Sequence, residues 1–282
     1  MTFQNKKHRR IQRFLKNRLA VIGCLLVLSF VSVAILAPWI SPMDPLKQNL
    51  EDKRMAPNKS HLLGTDQFGR DILSRIFFGS RYALLVTVVS VLFSLIIGTL
   101  IGLFAGYTGG HVEEGIMRGM DMFLVFPYLL LSILIVSVLG PGLWNTILAI
   151  GIWGVPVFAR QARGAVITIR DREFIQAARA VGASSIRIML QHIFPNIIPL
   201  IMVFGVLSMA NAVLMESSLT FLGLGIQPPT PSWAEMIASG RNYVVVAPHI
   251  STIPGIAILL LSLGFNLIGD GLRDVLDPRQ SH

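Results

Sequence analysis

An all-α protein held in a membrane by six transmembrane helices is the fold class this sequence predicts, and three observations carry it. The 282 residues are 53% hydrophobic and 14% charged, with a mean hydropathy of +0.65, too apolar for a typical soluble domain. Uncharged runs of spanning length occur at 19–40, 84–107, 122–139, 143–159 and 250–268, and a sixth, 197–221, is interrupted only by Glu216. Basic residues sit beside these runs without interleaved aromatics, so the net charge of +9 argues for membrane flanks and against a nucleic-acid platform.

The chain opens with Lys6, Lys7, Arg9, Arg10, Arg13, Lys16 and Arg18 and no acidic residue, a strong inside signal. The first run is long for a signal peptide, and no small-x-small cleavage site occurs in the stretch from Val33 to Ala37, so it reads as an uncleaved anchor. Cys24 lies within it as a small core hydrophobe and, being the single cysteine, does not reveal the compartment. Residues 41–83 are polar and marked as loop by Pro42, Pro45 and Pro57. Toward their end, Asp66 to Phe78 is expected to form an amphipathic helix in the membrane interface, with Asp66/Arg70 and Asp71/Arg75 as ion pairs.

In the second run Gly98, Gly102 and Gly106 recur every four residues and predict a packing seam for a neighbouring helix. With the N-terminus inside, inside segments hold 16 basic residues and outside segments 8, a bias that places both termini in the cytoplasm. The expected divisions are a cytoplasmic N-terminus (1–18), a first span (19–40), an extracytoplasmic loop (41–83), a five-helix core (84–268) and a cytoplasmic tail (269–282).

Between the fourth and fifth spans lies a polar, basic loop, about 160–196. Within it Phe174, Ala177, Ala178 and Val181 recur at i, i+3, i+4 and i+7, giving a helical face that is apolar and, at its middle, small. Gly182 tolerates positive φ where that helix ends, and Ser184 or Ser185 can cap a second one carrying Ile186, Met189 and Leu190. Pro195 and Pro199 limit its continuation. On spacing alone this is either a helical hairpin between spans or a docking surface.

Here the sequence resembles the membrane permease subunits of binding-protein-dependent ABC importers, whose cytoplasmic loop reads Glu-Ala-Ala, three residues, Gly, nine residues, Ile-x-Leu-Pro. Gln176, Ala177, Ala178, Gly182, Phe194 and Pro195 fall at that spacing, with Gln176, His192 and Phe194 replacing Glu, Ile and Leu. The string Leu63 to Asp71 is similar to the segment before the second span in the peptide and nickel subfamily, and Glu216 to Trp233 is similar to the pattern of its C-type permeases. The resemblance therefore covers essentially the whole chain. It implies a type I ABC importer permease fold and an inner-membrane subunit forming half of a pore, most simply for di- or oligopeptides, with nickel or another small solute as alternative. It further implies Glu173, Gln176, Ala177, Ala178, Gly182, Ala183, Ile186 and Pro195 as the ATPase-coupling loop. The partners implied are a second homologous permease, two cytoplasmic ATPase subunits that use ATP and Mg, a solute-binding protein outside, and membrane lipid.

Glu216, with Ser217 beside it, is the one ionisable residue within a span, and is either a pathway or outer-gate residue or a structural partner. No Gly-Lys pair forms a phosphate-cradling P-loop, and neither HExxH, CxxC nor Gly-x-Ser-x-Gly occurs, so no catalytic, cofactor or metal residue is expected. An ion-coupled carrier would show charges on several spans and often an internal repeat. A membrane scaffold that recruits an ATPase without transporting is the third reading; uptake requiring ATP separates all three.

Overall fold

The computed structural model describes residues 14–276; the basic cluster up to Arg13, and Arg279, lie outside the described residues. The helices are α1 (Arg18–Ile40), α2 (Ile72–Thr108), α3 (Gly110–Val125), α4 (Tyr128–Leu139), α5 (Leu143–Arg170), α6 (Glu173–Ala180), α7 (Phe194–Phe221), α8 (Trp233–Gly240) and α9 (His249–Leu276). Among the described residues no strand forms; five helices are long and apolar enough to cross a membrane, and α3 with α4 is a bent pair that counts as a sixth span only if the two are taken together.

The centre is α2 packed along α5. A Cβ at Gly98 would come within 2.6 Å of the Phe158 Cβ, one at Gly102 within 2.8 Å of Ala162 and one at Gly106 within 2.9 Å of Val166. The three glycines thus form the expected seam, and its partner is the fourth span. Ala159, Ala162 and Val166 on the facing side are completely buried, because only small side chains let two backbones approach this closely. α7 and α9 pack beside this pair. α1 closes the bundle from outside along Ala20, Gly23, Ala34 and Ala37, with Gly23 against Gly264 of α9. Asn17 caps α1 by accepting from the amides of Leu19 and Ala20, and its Nδ2 donates to Asp274 at the other end of the chain (3.2 Å).

The third apolar run does not form the single straight span expected at 122–139. α3 and α4 meet at 89° across Phe126 and Pro127. Proline lacks the amide hydrogen of a continuing helix and drives the residue before it out of the helical region; Phe126 is extended, at φ −80° and ψ 129°. Twelve residues of α4 span about 18 Å, short of the roughly 30 Å hydrocarbon core.

Helices also overrun the expected boundaries. α2 begins at Ile72, so no separate interfacial helix exists over Asp66 to Phe78. Asp66 and Arg70 do pair (2.6 Å), but within a tight turn whose Gly69 amide donates to the Asp66 carbonyl. Asp71 does not pair with Arg75. It caps α2 by accepting from the Ser74 amide (2.8 Å), and its other oxygen meets His61 Nδ1 (3.0 Å). The cap ends the polar segment and starts the span in one residue. Likewise α5 runs to Arg170, so the loop expected from about 160 begins at Asp171, and α9 carries the chain helically to Leu276.

Segments 41–71 and 222–248 form one layer at the same end of the bundle. Trp233 Nε1 donates to the Ile76 carbonyl (3.0 Å), and the ring fills the space beside Gly79. His249 Nε2 lies 3.2 Å from the Thr65 carbonyl oxygen.

Candidate coupling surface and translocation face

At the opposite end, α6 projects from the bundle. Its C-terminus is a Schellman motif: the Ala183 amide donates to Ala178 O (3.1 Å) and the Gly182 amide to Arg179 O (2.9 Å), with Gly182 at φ +85°. The turn expected at Gly182 is present, and glycine is there because the αL conformation crowds any Cβ against the carbonyl. Ser184 then caps the following turn, Ser185–Arg187, by accepting from the Arg187 amide (3.4 Å).

Pro195 does not end the second helix. A π-helix, Ile188–Ile193, intervenes, with the Phe194 amide donating to Met189 O, and Pro195, which has no amide hydrogen to place, enters at the first turn of α7. The wider turn takes up the proline, and the hairpin continues straight into a span.

Of the apolar series read from the sequence, all but Ala178 lie on the outward face. Phe174 is 43% exposed, Val181 89% and Ile186 65%, with Ala177 and Gly182 exposed between them. Glu173 and Pro195 are exposed, while Ala178 and Ala183 are half-buried against the core. Gln176 turns back, its Nε2 donating to Asp171 O (3.0 Å).

What holds α6 to the bundle escaped the sequence reading. Ile175 is wholly buried with Ile188 and Ile193, and Arg179 stacks on the Tyr107 ring at the end of α2, 5.5 Å from its centroid. Ile175 lies outside the i, i+3, i+4 series, whose members Phe174, Ala177 and Val181 are exposed and of which only Ala178 turns toward the core. A polar-flanked loop with one β-branched residue out of phase is the signal that was available.

Toward the other end of α7, Glu216 is 4% exposed and does not stand alone. Thr220 Oγ1 donates to Glu216 Oε1 (2.8 Å) and accepts from the Ile226 amide (3.2 Å), tying the carboxylate to the turn that folds back after α7. Ser217 Oγ donates to Val213 O (2.8 Å) and lies 3.4 Å from Glu216 Oε2. Separately, a cavity of about 400 Å³ opens between α2, α5 and α7 beside Tyr128, lined by Trp153, Phe204, Asn211 and Met215. Asn211 places an exposed amide within a span, which the sequence reading passed over because asparagine carries no charge to interrupt a hydrophobic run.

Residues 98–282 match the family described as binding-protein-dependent transport system inner membrane component, and residues 8–57 match the N-terminal transmembrane domain of oligopeptide transport permease C. The chain belongs to this inner membrane component family. This permease is 44% identical over 264 residues to the dipeptide transport system permease protein DppC of Alkalihalophilus pseudofirmus, covering 94% of this chain and 87% of the relative. It is 44% identical over 275 residues to the di/tripeptide transport system permease protein DppC of Pseudomonas aeruginosa (95% and 90%). It is 40% identical over 269 residues to the glutathione transport system permease protein GsiD of Pectobacterium atrosepticum (95% and 89%). In fold it is similar to a chain of the inward-facing MetNI methionine ABC transporter, with a TM-score of 0.60 at 18% identity over 72% of this chain and 97% of that one. The permease thus has the type I ABC importer fold and is a multi-pass inner-membrane transport protein.

Proposed function

We propose that this permease forms half of the translocation pore of an ATP-driven importer of di- or oligopeptides. The observation that carries the reading is the 44% identity, over 94% and 95% of the chain, to permeases named for dipeptides and di/tripeptides. The glutathione permease at 40% identity is named for a peptide too, which favours peptides over nickel or another small solute.

A second homologous permease completes the pore, and two cytoplasmic ATPase subunits, binding ATP and Mg, receive the exposed face of α6. The solute-binding protein docks on the layer formed by 41–71 and 222–248, and both termini are cytoplasmic. Lipid covers the outer side of α1, where Leu19, Leu25, Leu28 and Ile35 are all at least 58% exposed. ATP-driven closure of the ATPases pushes α6 as a rigid body and turns the pore from inward-open to outward-open. Glu216 and Ser217 brace the outer end of α7, where the fold-back turn meets the pore mouth.

The test is purification of the complex in mild detergent, reconstitution in liposomes and measurement of labelled dipeptide uptake with and without ATP. ATP-dependent uptake that also requires the solute-binding protein supports the reading. Uptake driven by an ion gradient in the absence of ATP would identify a secondary carrier, and an assembled complex that moves no peptide would sink the peptide assignment.

A further inference from the structure

α3 is a rod of 16 residues set between two breaks in the chain. At its start the link to α2 is Gly109, at φ +69°, followed by Gly110 at φ +60°; at its end stands the 89° corner before Pro127. Neither break carries a helical hydrogen-bond ladder across it in full, so backbone continuity alone does not set the direction of the rod.

Side chains near its first turn do so. Glu113, 9% exposed, accepts from Arg163 of α5 at 2.6 Å from Nε and 2.5 Å from Nη2. Its second oxygen lies 3.7 Å from Arg170 Nη1, in the last turn of α5. The same Arg170 nitrogen donates to Gly106 O at the end of α2 (2.8 Å). A Cβ on Gly109 would stand 3.1 Å from that nitrogen, so the glycine leaves the space the guanidinium occupies. One carboxylate and two guanidinium groups therefore tie the start of α3 to α2 and to the end of α5: both Arg163 nitrogens meet the single oxygen Oε1, and Arg170 adds a longer ionic contact at the other. The other ionic contact between α3 and α5, Asp121 with Arg160, is more than half exposed on both sides and holds far less strongly.

The position of this lock decides its consequence. Arg170 is three residues from Glu173, where α6 begins, and α6 is itself stapled to the bundle by Ile175 and the Arg179–Tyr107 stack. Beyond the far end of α3 lies α4, whose first residue, Tyr128, borders the cavity beside Asn211.

We propose that Glu113 is a positioning residue for transport: it clamps α3 to the end of α5, so that displacement of the coupling loop swings α3 as a lever about Pro127 and moves α4 at the translocation face. This rests on the importer reading. The residue touches no solute; it converts a push at α6 into a change beside the cavity. A buried carboxylate suits that task, because a close contact to Arg163 and a longer ionic one to Arg170 hold it from two directions, whereas one apolar contact would allow the rod to slide.

The experiment compares wild-type, Glu113→Gln and Glu113→Asp complexes, assembled with all partner subunits and reconstituted, for ATP hydrolysis and peptide uptake. In Glu113→Gln, uptake is expected to fall about tenfold, as for loss of one charge-assisted contact, while hydrolysis and subunit recovery stay within about twofold of wild type. Glu113→Asp should regain part of the uptake, since it restores the charge. A purely packing role would lower uptake, hydrolysis and recovery together, and that result, or wild-type uptake by Glu113→Gln, would overturn the clamp.

A second measurement needs no variant at the clamp. Spin labels at Gly115→Cys and Gly164→Cys, both positions facing open space, in a Cys24→Ser background, report the α3 to α5 distance through the ATP cycle. The clamp requires that distance to stay constant; a change on nucleotide trapping would show it open in transport and overturn the proposal. Absence of ATPase subunits or of ATP-driven uptake in the wild-type complex would instead overturn the importer reading itself.

Discussion

Arg75 Nη2 donates to Glu235 Oε2 across 2.7 Å, joining the first turns of α2 and α8 through side chains 160 positions apart. Arg75 is completely buried, and its Nε also lies 3.6 Å from Asp66, which holds Arg70 at 2.6 Å. Two cations and two anions thus close the layer built from 41–71 and 222–248. Replacing Arg75 by Met leaves Glu235 without its cation while Asp66 keeps Arg70, and the expected loss is about 3–5 kcal/mol of stability. Glu235→Gln keeps an acceptor and should lose less, about 1–3 kcal/mol. Thermal unfolding of the purified protein in detergent checks both; equal, small effects would mean that the pair is dispensable.

The glycine seam gives a second expectation. Gly102→Leu must push α2 away from Ala159 and Ala162 along the most closely packed helix pair, and overpacking of this kind costs about 1–3 kcal/mol or more. Gly115→Ala on α3 meets nothing within 4 Å and gains helix propensity, so it should be neutral or slightly stabilising. Size-exclusion profiles of the two variants should therefore diverge, with Gly102→Leu aggregating.

These cases show what the sequence could tell. The seam was legible because four-residue spacing of glycine has one geometric meaning on a helix, although its partner was not: nothing local marks Ala159 and Ala162 as the facing residues. The Gly182 turn was legible because a glycine at the end of a helical pattern marks the positive-φ position that closes it. The Asp71/Arg75 pair was misassigned because Asp71 is the cap of α2, its oxygens taken by the Ser74 amide and by His61, while Arg75 turns to Glu235. The corner at Pro127 was hidden within an unbroken apolar run, where hydropathy outweighed the one residue that breaks it. Glu113 passed unnoticed because its partners are 50 and more positions away.

Ile175 fixes how firmly α6 is seated on the bundle. It is wholly buried beneath α6, and truncation to Ala removes the contacts that hold an eight-residue helix to the bundle. A loss of about 2–4 kcal/mol at this site would be felt locally, because so short a helix has little stability of its own. Hydrogen exchange of 173–183 should rise in Ile175→Ala while exchange in α2 and α5 is unchanged. Peptide uptake per ATP hydrolysed should fall in parallel, since a loose helix yields instead of transmitting a push. Exchange that rises throughout the bundle would assign Ile175 a global packing role instead.

Gly182 offers the sharpest separation of conformation from packing. At φ +85°, with nothing within 4 Å of a Cβ, a side chain there meets no neighbour, and the whole penalty is backbone strain. A β-branched residue in the αL region costs roughly 1–2 kcal/mol or more, whereas asparagine visits that region readily. Gly182→Val is therefore expected to insert and assemble but to misdirect the end of α6 and lose most ATP-driven uptake, while Gly182→Asn retains it. Insertion measured by protease protection, and uptake in the same membranes, distinguish the two. If Val and Asn behave alike, with uptake intact, the Schellman turn does not matter for coupling; if both abolish uptake, the exposed surface at 182, and not its backbone angle, is what the partner reads.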